Sequence, residues 1–165
     1  MKFADFHAGQ VIEAGPYRLD TAELLAFAQA YDPQWFHTDA PAAQQGRFGG
    51  LIASGWHTCA MAMRLAVAAA LEGSESFASP GVEKIRWPHP VRAGDALGLR
   101  ATVIETRVSR HKPGLGILRW RWQLFNQEGI EVLDLEATSL FDLAGGAGAR
   151  RVAASTIPDG EARPA

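Results

Sequence analysis

Apolar residues recur along this chain with two different periods, and the change from one to the other divides it into a helical first half and a stranded second half. Leu24, Leu25, Phe27, Ala28 and Tyr31 repeat at spacings of three and four, which predicts a helix with one apolar face. Asp20 opens it, and Glu23, three residues on, is its capping-box partner. Pro33 disfavours helical geometry at Asp32, so the helix ends near Tyr31 and Asp32 to His37 form a connecting loop. Thr38 or Asp39 can cap a second short helix through Pro41, Ala42, Ala43 and Gln44. Gly46, Gly49 and Gly50 mark a close-packed connection around Phe48. The longest helical stretch then runs from Ile52 or Ser54 to Leu71, with Gly73 as its stop. Its only charge before Glu72 is Arg64, and a helix apolar nearly all round is expected to be buried on most faces.

The remaining chain alternates with period two, apart from a short first strand over Val11 to Tyr17 that Gly15 and Pro16 weaken. Val82 to Trp87 predicts a strand ended by Pro88 and Pro90, and Gly94-Asp95 a turn. Ala96 to Arg107 follows, with Leu97, Leu99, Ala101 and Val103 on one face. After a turn at Lys112-Pro113-Gly114, Leu118, Trp120, Trp122 and Leu124 alternate with Arg119, Arg121, Gln123 and Phe125. A hairpin at Asn126 to Gly129 leads to a last strand with Leu133, Leu135, Ala137, Ser139 and Phe141 on one face and Asp134, Glu136 and Thr138 on the other. Helices first and a strand meander afterwards is α+β order, satisfied by one buried helix wrapped in a curved antiparallel sheet. Residues 1–143 therefore read as one domain, and 144–165, rich in Gly, Ala, Arg and Pro, as a mobile tail.

Composition narrows the class without naming it. At 165 residues, 47% hydrophobic and 21% charged, the chain is long enough to bury a core without disulfide or metal staples. Its net charge of −2 supplies no basic field for nucleic acid. Arg107, Arg110, His111 and Lys112 form a solvated turn or hold an anionic ligand tail. The single cysteine, Cys59, excludes an internal disulfide and reads as a small core side chain. The first ten residues lack the apolar core of a signal peptide, and the apolar stretch near Ala60 to Leu71 is too short to span a bilayer. A cytoplasmic enzyme or binding protein is the expected class.

The candidate chemistry lies in the loop after the first helix and in the start of the long one. Tyr31-Asp32-Pro33-Gln34-Trp35-Phe36-His37-Thr38-Asp39 places an acid at a helix exit and a histidine five positions later. Phe48-Gly49-Gly50-Leu51-Ile52-Ala53-Ser54-Gly55 leads into the long helix, and Trp87-Pro88-His89-Pro90-Val91-Arg92-Ala93-Gly94-Asp95 ends a strand in a Gly-Asp turn. Together, in this order, these segments resemble the MaoC-like dehydratases and the related (R)-specific enoyl-CoA hydratases over roughly Phe6 to Phe141. The chain departs from that pattern in two places. Gln34 and Trp35 stand where the family usually has asparagine and proline, and Ser54 where histidine often precedes the glycine.

The resemblance implies a hotdog fold and the reversible addition of water to an enoyl thioester, giving a 3-hydroxyacyl thioester. It implies that Asp32 and His37 act on one water and that the Gly55 N–H faces the thioester oxygen, with Gln34, Trp35, Ser54 and Trp56 beside the substrate. Two subunits pair their sheets in related proteins, so a homodimer is expected, with Trp120 and Trp122 supplying apolar surface. Coenzyme A, or a carrier's pantetheine arm, enters as a handle of the substrate, no separate cofactor is expected, and Arg47, Arg86 or Arg92 are candidates to meet its phosphates. By residue type alone, Asp32 also fits a helix-end or turn residue, His37 a capping or packing residue, Ser54 a helix cap, Gly55 a packing glycine, and His57 a core histidine. His37 with Asp39 has no zinc-like spacing, so no metal is expected. Many thioesterases of the same fold carry an acid on or near the buried helix, and none stands between Ser54 and Leu71, which counts against that version. A non-catalytic acyl-thioester binder is the third reading.

Overall fold

The computed structural model describes residues 1–144; the expected tail over 144–165, with Val152 and Ile157, lies outside the described residues from 145 onward. After a 3₁₀ turn at Phe3–Asp5, the chain forms β1 (Val11–Arg18), α1 (Thr21–Tyr31), α2 (Trp35–Thr38), α3 (Ala40–Gln45) and α4 (Gly55–Ala66). Then come β2 (Ser76–Arg86), β3 (Ala96–Val108), β4 (Leu115–Phe125) and β5 (Glu131–Asp142). The five strands make one sheet in the order β1-β3-β4-β5-β2, every pair antiparallel. This is the hotdog arrangement, with α4 packed on the inner face.

Alternation along β3, β4 and β5 decides which face is inner. Leu97, Leu99, Ala101, Val103, Leu118, Trp120, Trp122, Leu124, Leu133, Leu135 and Phe141 are all buried, and they meet Met61, Ala62, Leu65 and Ala66 of α4. The outer face carries a ladder of opposite charges. Lys84 and Arg119 flank Glu136, while Arg86 and Arg121 flank Asp134. Both carboxyls are held below the usual range, Asp134 chiefly by Arg121 and Glu136 chiefly by Lys84.

Several expectations are corrected. Trp120 is fully buried and Trp122 2% exposed, so neither indole offers an interface; Trp120 meets Phe6 edge-on, and the two indoles meet each other edge-on at 5.1 Å. Tyr31, read as part of the apolar face of α1, is 77% exposed, because that helix buries only Leu24 and Ala28 fully. The long helix reaches Leu71 as expected, its last turn, Val67–Leu71, being π-helical. It is not buried on most faces: Trp56, Met63 and Val67 form an exposed stripe at spacings of seven and four. β2 begins six residues before the expected Val82, because an edge strand tolerates Pro80 and three register shifts that hide its period.

The tryptophan pair gives the first prediction. Trp120→Ala empties a filled site between Phe6 and Trp122, so stability should fall by about 3–5 kcal/mol. Urea unfolding at pH 7 measures it, and a loss within experimental error would show that the core does not depend on this ring.

Candidate active site

Asp32 and His37 reach one point from opposite ends of a short excursion between α1 and α3. Asp32 is the C-cap of α1, its N–H donating to Ala28 O at 2.9 Å, and Pro33 stops further helix. The expected loop is instead closed by a helical turn, α2, in which the His37 N–H donates to Gln34 O at 2.8 Å. That turn brings His37 back over the acid: Nε2 lies 3.3 Å from Asp32 Oδ2, with the imidazole side chain 5% exposed and the carboxylate 18%. Asp39 then caps α3 by accepting from the Ala42 N–H at 3.0 Å.

Each side chain is held by others. His37 Nδ1 lies 2.7 Å from Ile52 O; a carbonyl only accepts, so Nδ1 carries a hydrogen there and the ring presents Nε2 to the acid. The Asp32 carboxylate accepts from Ser54 Oγ at 2.6 Å on Oδ2 and from Gln34 Nε2 at 2.8 Å on Oδ1. These two donors, Ser54 foremost, hold its carboxyl below the usual range against the opposing effect of burial. Ser54 is also the N-cap of α4, accepting from the Trp56 N–H at 3.2 Å.

A cleft of about 340 Å³ opens at this pair, with Gln34, Gly55, Trp56, Trp87, His89 and Val91 among its walls. Gly55 is the first residue of α4, so its N–H has no partner within the helix, and none is found among the other described residues. Glycine is required there for a reason the sequence does not show. A Cβ at that position would lie 2.6 Å from the Trp87 ring, so the indole itself, rather than only a ligand, claims the space. A broader open depression of about 790 Å³ near Gly15, Arg100 and Phe125 is lined by neither Asp32 nor His37.

Asp32, His37, Gly55, Gln34 and Trp56 thus share one cleft, while two expected wall residues do not line it. Trp35 packs on Gly46 and edge-on against Phe36, and Ser54 sits behind Asp32 as its donor. Trp87 and His89 are walls that sequence reasoning misses. Two prolines beside His89 suggest a structural or surface role, and the residue is exposed with its Nδ1 anchored 2.9 Å from Glu131 O; it lines the cleft as well. Of the three candidate phosphate-binding arginines, Arg86 is engaged by Asp134 and Arg92 by the Phe48 and Leu51 carbonyls; Arg47 is exposed on the loop before Phe48. No group of three or more His, Cys, Asp or Glu able to hold a metal occurs among the described residues, and none of their helices is long and apolar enough to cross a membrane.

Fold and cleft define a hotdog protein with a carboxylate–imidazole pair beside the start of its central helix. The chain belongs to the MaoC-like domain family, whose model matches residues 4–117. It resembles the crystal structure of a MaoC-like dehydratase from Rhodospirillum rubrum, with a TM-score of 0.78 and 35% identity over 84% of this chain and 94% of that one. The unliganded R-hydratase PhaJ1 of Pseudomonas aeruginosa gives a TM-score of 0.69 and 26% identity, over 85% of this chain and 84% of that one. The uncharacterized protein YdeM of Bacillus subtilis is 30% identical over 140 residues, 85% of this chain and 98% of its own length.

Ser54→Ala tests the electrostatics. Losing the cap should cost about 1 kcal/mol of stability, and the Asp32 carboxyl, without its main donor, should titrate higher. With a folded pKa below the unfolded one, Asp32 stabilises the protein above the usual carboxylate range, and that contribution is lost as pH falls through the folded value. The stability gap between wild type and variant should therefore narrow in acid. Urea unfolding from pH 7 to pH 3 follows the gap, and ¹³C NMR of the carboxylates follows Asp32; an unchanged Asp32 titration would contradict the assignment.

Proposed function

We propose that this protein is a hydratase/dehydratase that adds water reversibly to an enoyl thioester, giving a 3-hydroxyacyl thioester. The observation that carries the reading is the 3.3 Å approach of His37 Nε2 to Asp32 Oδ2 in a cleft shared with the Gly55 N–H. A water seated at the pair meets the Asp32 carboxylate, which accepts its proton, and the His37 imidazole, which orients it. Its oxygen bonds to the β carbon of the enoyl group while the pair takes that proton. The electron pair of the double bond moves toward the thioester carbonyl, and the enolate so formed takes that proton from the pair at its α carbon, leaving the pair as it began. Water is thereby added across the double bond with all atoms accounted for.

The developing enolate oxygen needs a donor, and the Gly55 N–H at the start of α4 fills that role with the positive end of the helix dipole behind it. Removal of a single donor of this kind raises a barrier by roughly 3 kcal/mol. Gln34 and Trp56 bound the acyl-binding region, and Arg47 is the arginine of the three left to meet the phosphates of coenzyme A or a carrier arm. The thioesterase alternative lacks its acid, since α4 carries no Asp or Glu.

The direct test is turnover of crotonyl-CoA, followed by loss of enoyl absorbance. Asp32→Asn and His37→Gln should each lower kcat by about 10²–10⁴-fold while the protein stays folded. Equal rates in wild type and Asp32→Asn would remove the mechanism.

The proposal includes a second copy of the chain. β2 is an edge strand of 11 residues exposed at nearly every position, with Phe77 and Val82 bare, and the Trp56-Met63-Val67 stripe of α4 is also uncovered. Light scattering at micromolar concentration should report twice the chain mass of 17.8 kDa, and a stable monomer would contradict the homodimer.

A further inference from the structure

His57 is buried and titratable, yet it does not line the cleft. It stands two residues beyond Gly55 on α4, and α1 holds its ring on two sides. Phe27 stacks on it with centroids 4.4 Å apart and planes within 3° of parallel, and Nε2 lies 3.2 Å from Glu23 Oε1. Because a carboxylate only accepts, Nε2 carries the hydrogen. Glu23 also accepts from the Tyr17 hydroxyl at 2.5 Å, and the Arg64 guanidinium lies 5.1 Å from the centre of the Tyr17 ring.

The other ring nitrogen shows that this is not simple core filling. Nδ1 is buried without a partner among the described residues, which is unfavourable, and an apolar side chain would fill the space without that cost. What the imidazole adds is grip. Stacking sets the distance and plane of the ring relative to α1, and the hydrogen bond sets its rotation within that plane. Glu23 and Phe27 are four residues apart and lie on one face of α1, whose C-cap is Asp32; Ser54 and Gly55 begin α4 just before His57. The clamp therefore joins the two elements that carry the carboxylate and the free N–H.

We propose that His57 is a positioning residue: clamped between Phe27 and Glu23, it fixes the first turn of α4 against α1 so that the Ser54 hydroxyl meets the Asp32 carboxylate and the Gly55 N–H stands at the cleft in register with it. The kinetic consequence rests on the hydratase reading; the geometric one does not. His57→Gln keeps a donor for Glu23 but loses the stack, and Phe27→Leu removes the stack while leaving the imidazole–Glu23 contact. In each, kcat for crotonyl-CoA should fall roughly ten- to a hundredfold with KM little changed, as for a remote change that misplaces reacting groups. The Asp32 carboxylate, followed by ¹³C NMR, should titrate higher than in wild type because Ser54 no longer meets it squarely.

A lower Tm with both kcat and the Asp32 titration at wild-type values overturns the proposal and leaves His57 an ordinary core residue. Absence of any enoyl-thioester turnover in wild type defeats the hydratase reading alone, and the Asp32 titration then decides the clamp. If His57→Gln does not fold, the same two measurements on Phe27→Leu decide between these outcomes.

Discussion

The cleft depends on one hydroxyl, that of Ser54, placed where two chain segments far apart in sequence meet. Its oxygen accepts from the first turn of α4 and its hydrogen goes to the Asp32 carboxylate at the end of α1. A hydroxyl can serve both partners at once because it donates and accepts. A helix start thus supplies its cap and, through the same atom, holds a nearby carboxyl below its usual range. Geometry and charge at Asp32 are then coupled to the seating of α4, and α4 is seated by the whole inner face of the sheet.

That seating explains the division of labour among the aromatic residues. Phe6, Trp120, Trp122 and Phe141 fill the space under the helix, where large rings provide contact area and rigidity. Trp56 and Trp87 lie at the cleft, half exposed and edge-on to each other. Trp87 rests so close to Gly55 that no side chain fits there, which ties the end of β2 to the start of α4. The same glycine that leaves an N–H open to the cleft therefore also packs the cleft's own wall. On the outer face, carboxylates between pairs of cations hold neighbouring strands in register without burying unpaired charge.

Much of this is legible in the order of residues. Period-two alternation along β3, β4 and β5 assigns their inner residues correctly, since a pleated strand sends successive side chains to opposite faces. Asp20 is recognisable as a cap, and Asp39 as one of two candidates with Thr38, because short acceptors before helical patterns satisfy free N–H groups. β2 is half hidden, since an edge strand exposed on both faces has no apolar period to read. The sidedness of α4 escapes for a related reason: small apolar residues all round a helix say that it packs somewhere, not which face is left over.

The sequence by itself determined the α+β order, the strand faces, the break at Pro33 and the proximity of an acid and a histidine around it. All of these are local, set by backbone sterics and by the period of burial. Tertiary structure alone decided that Ser54 and Gln34 hold the carboxylate, that Ile52 O orients the imidazole, and that Trp87 rather than Trp35 walls the cleft. Most of those contacts join residues well separated along the chain, and no periodicity encodes a meeting between a helix exit, a helix start and the end of a strand. They exist only once α4 has settled into the sheet.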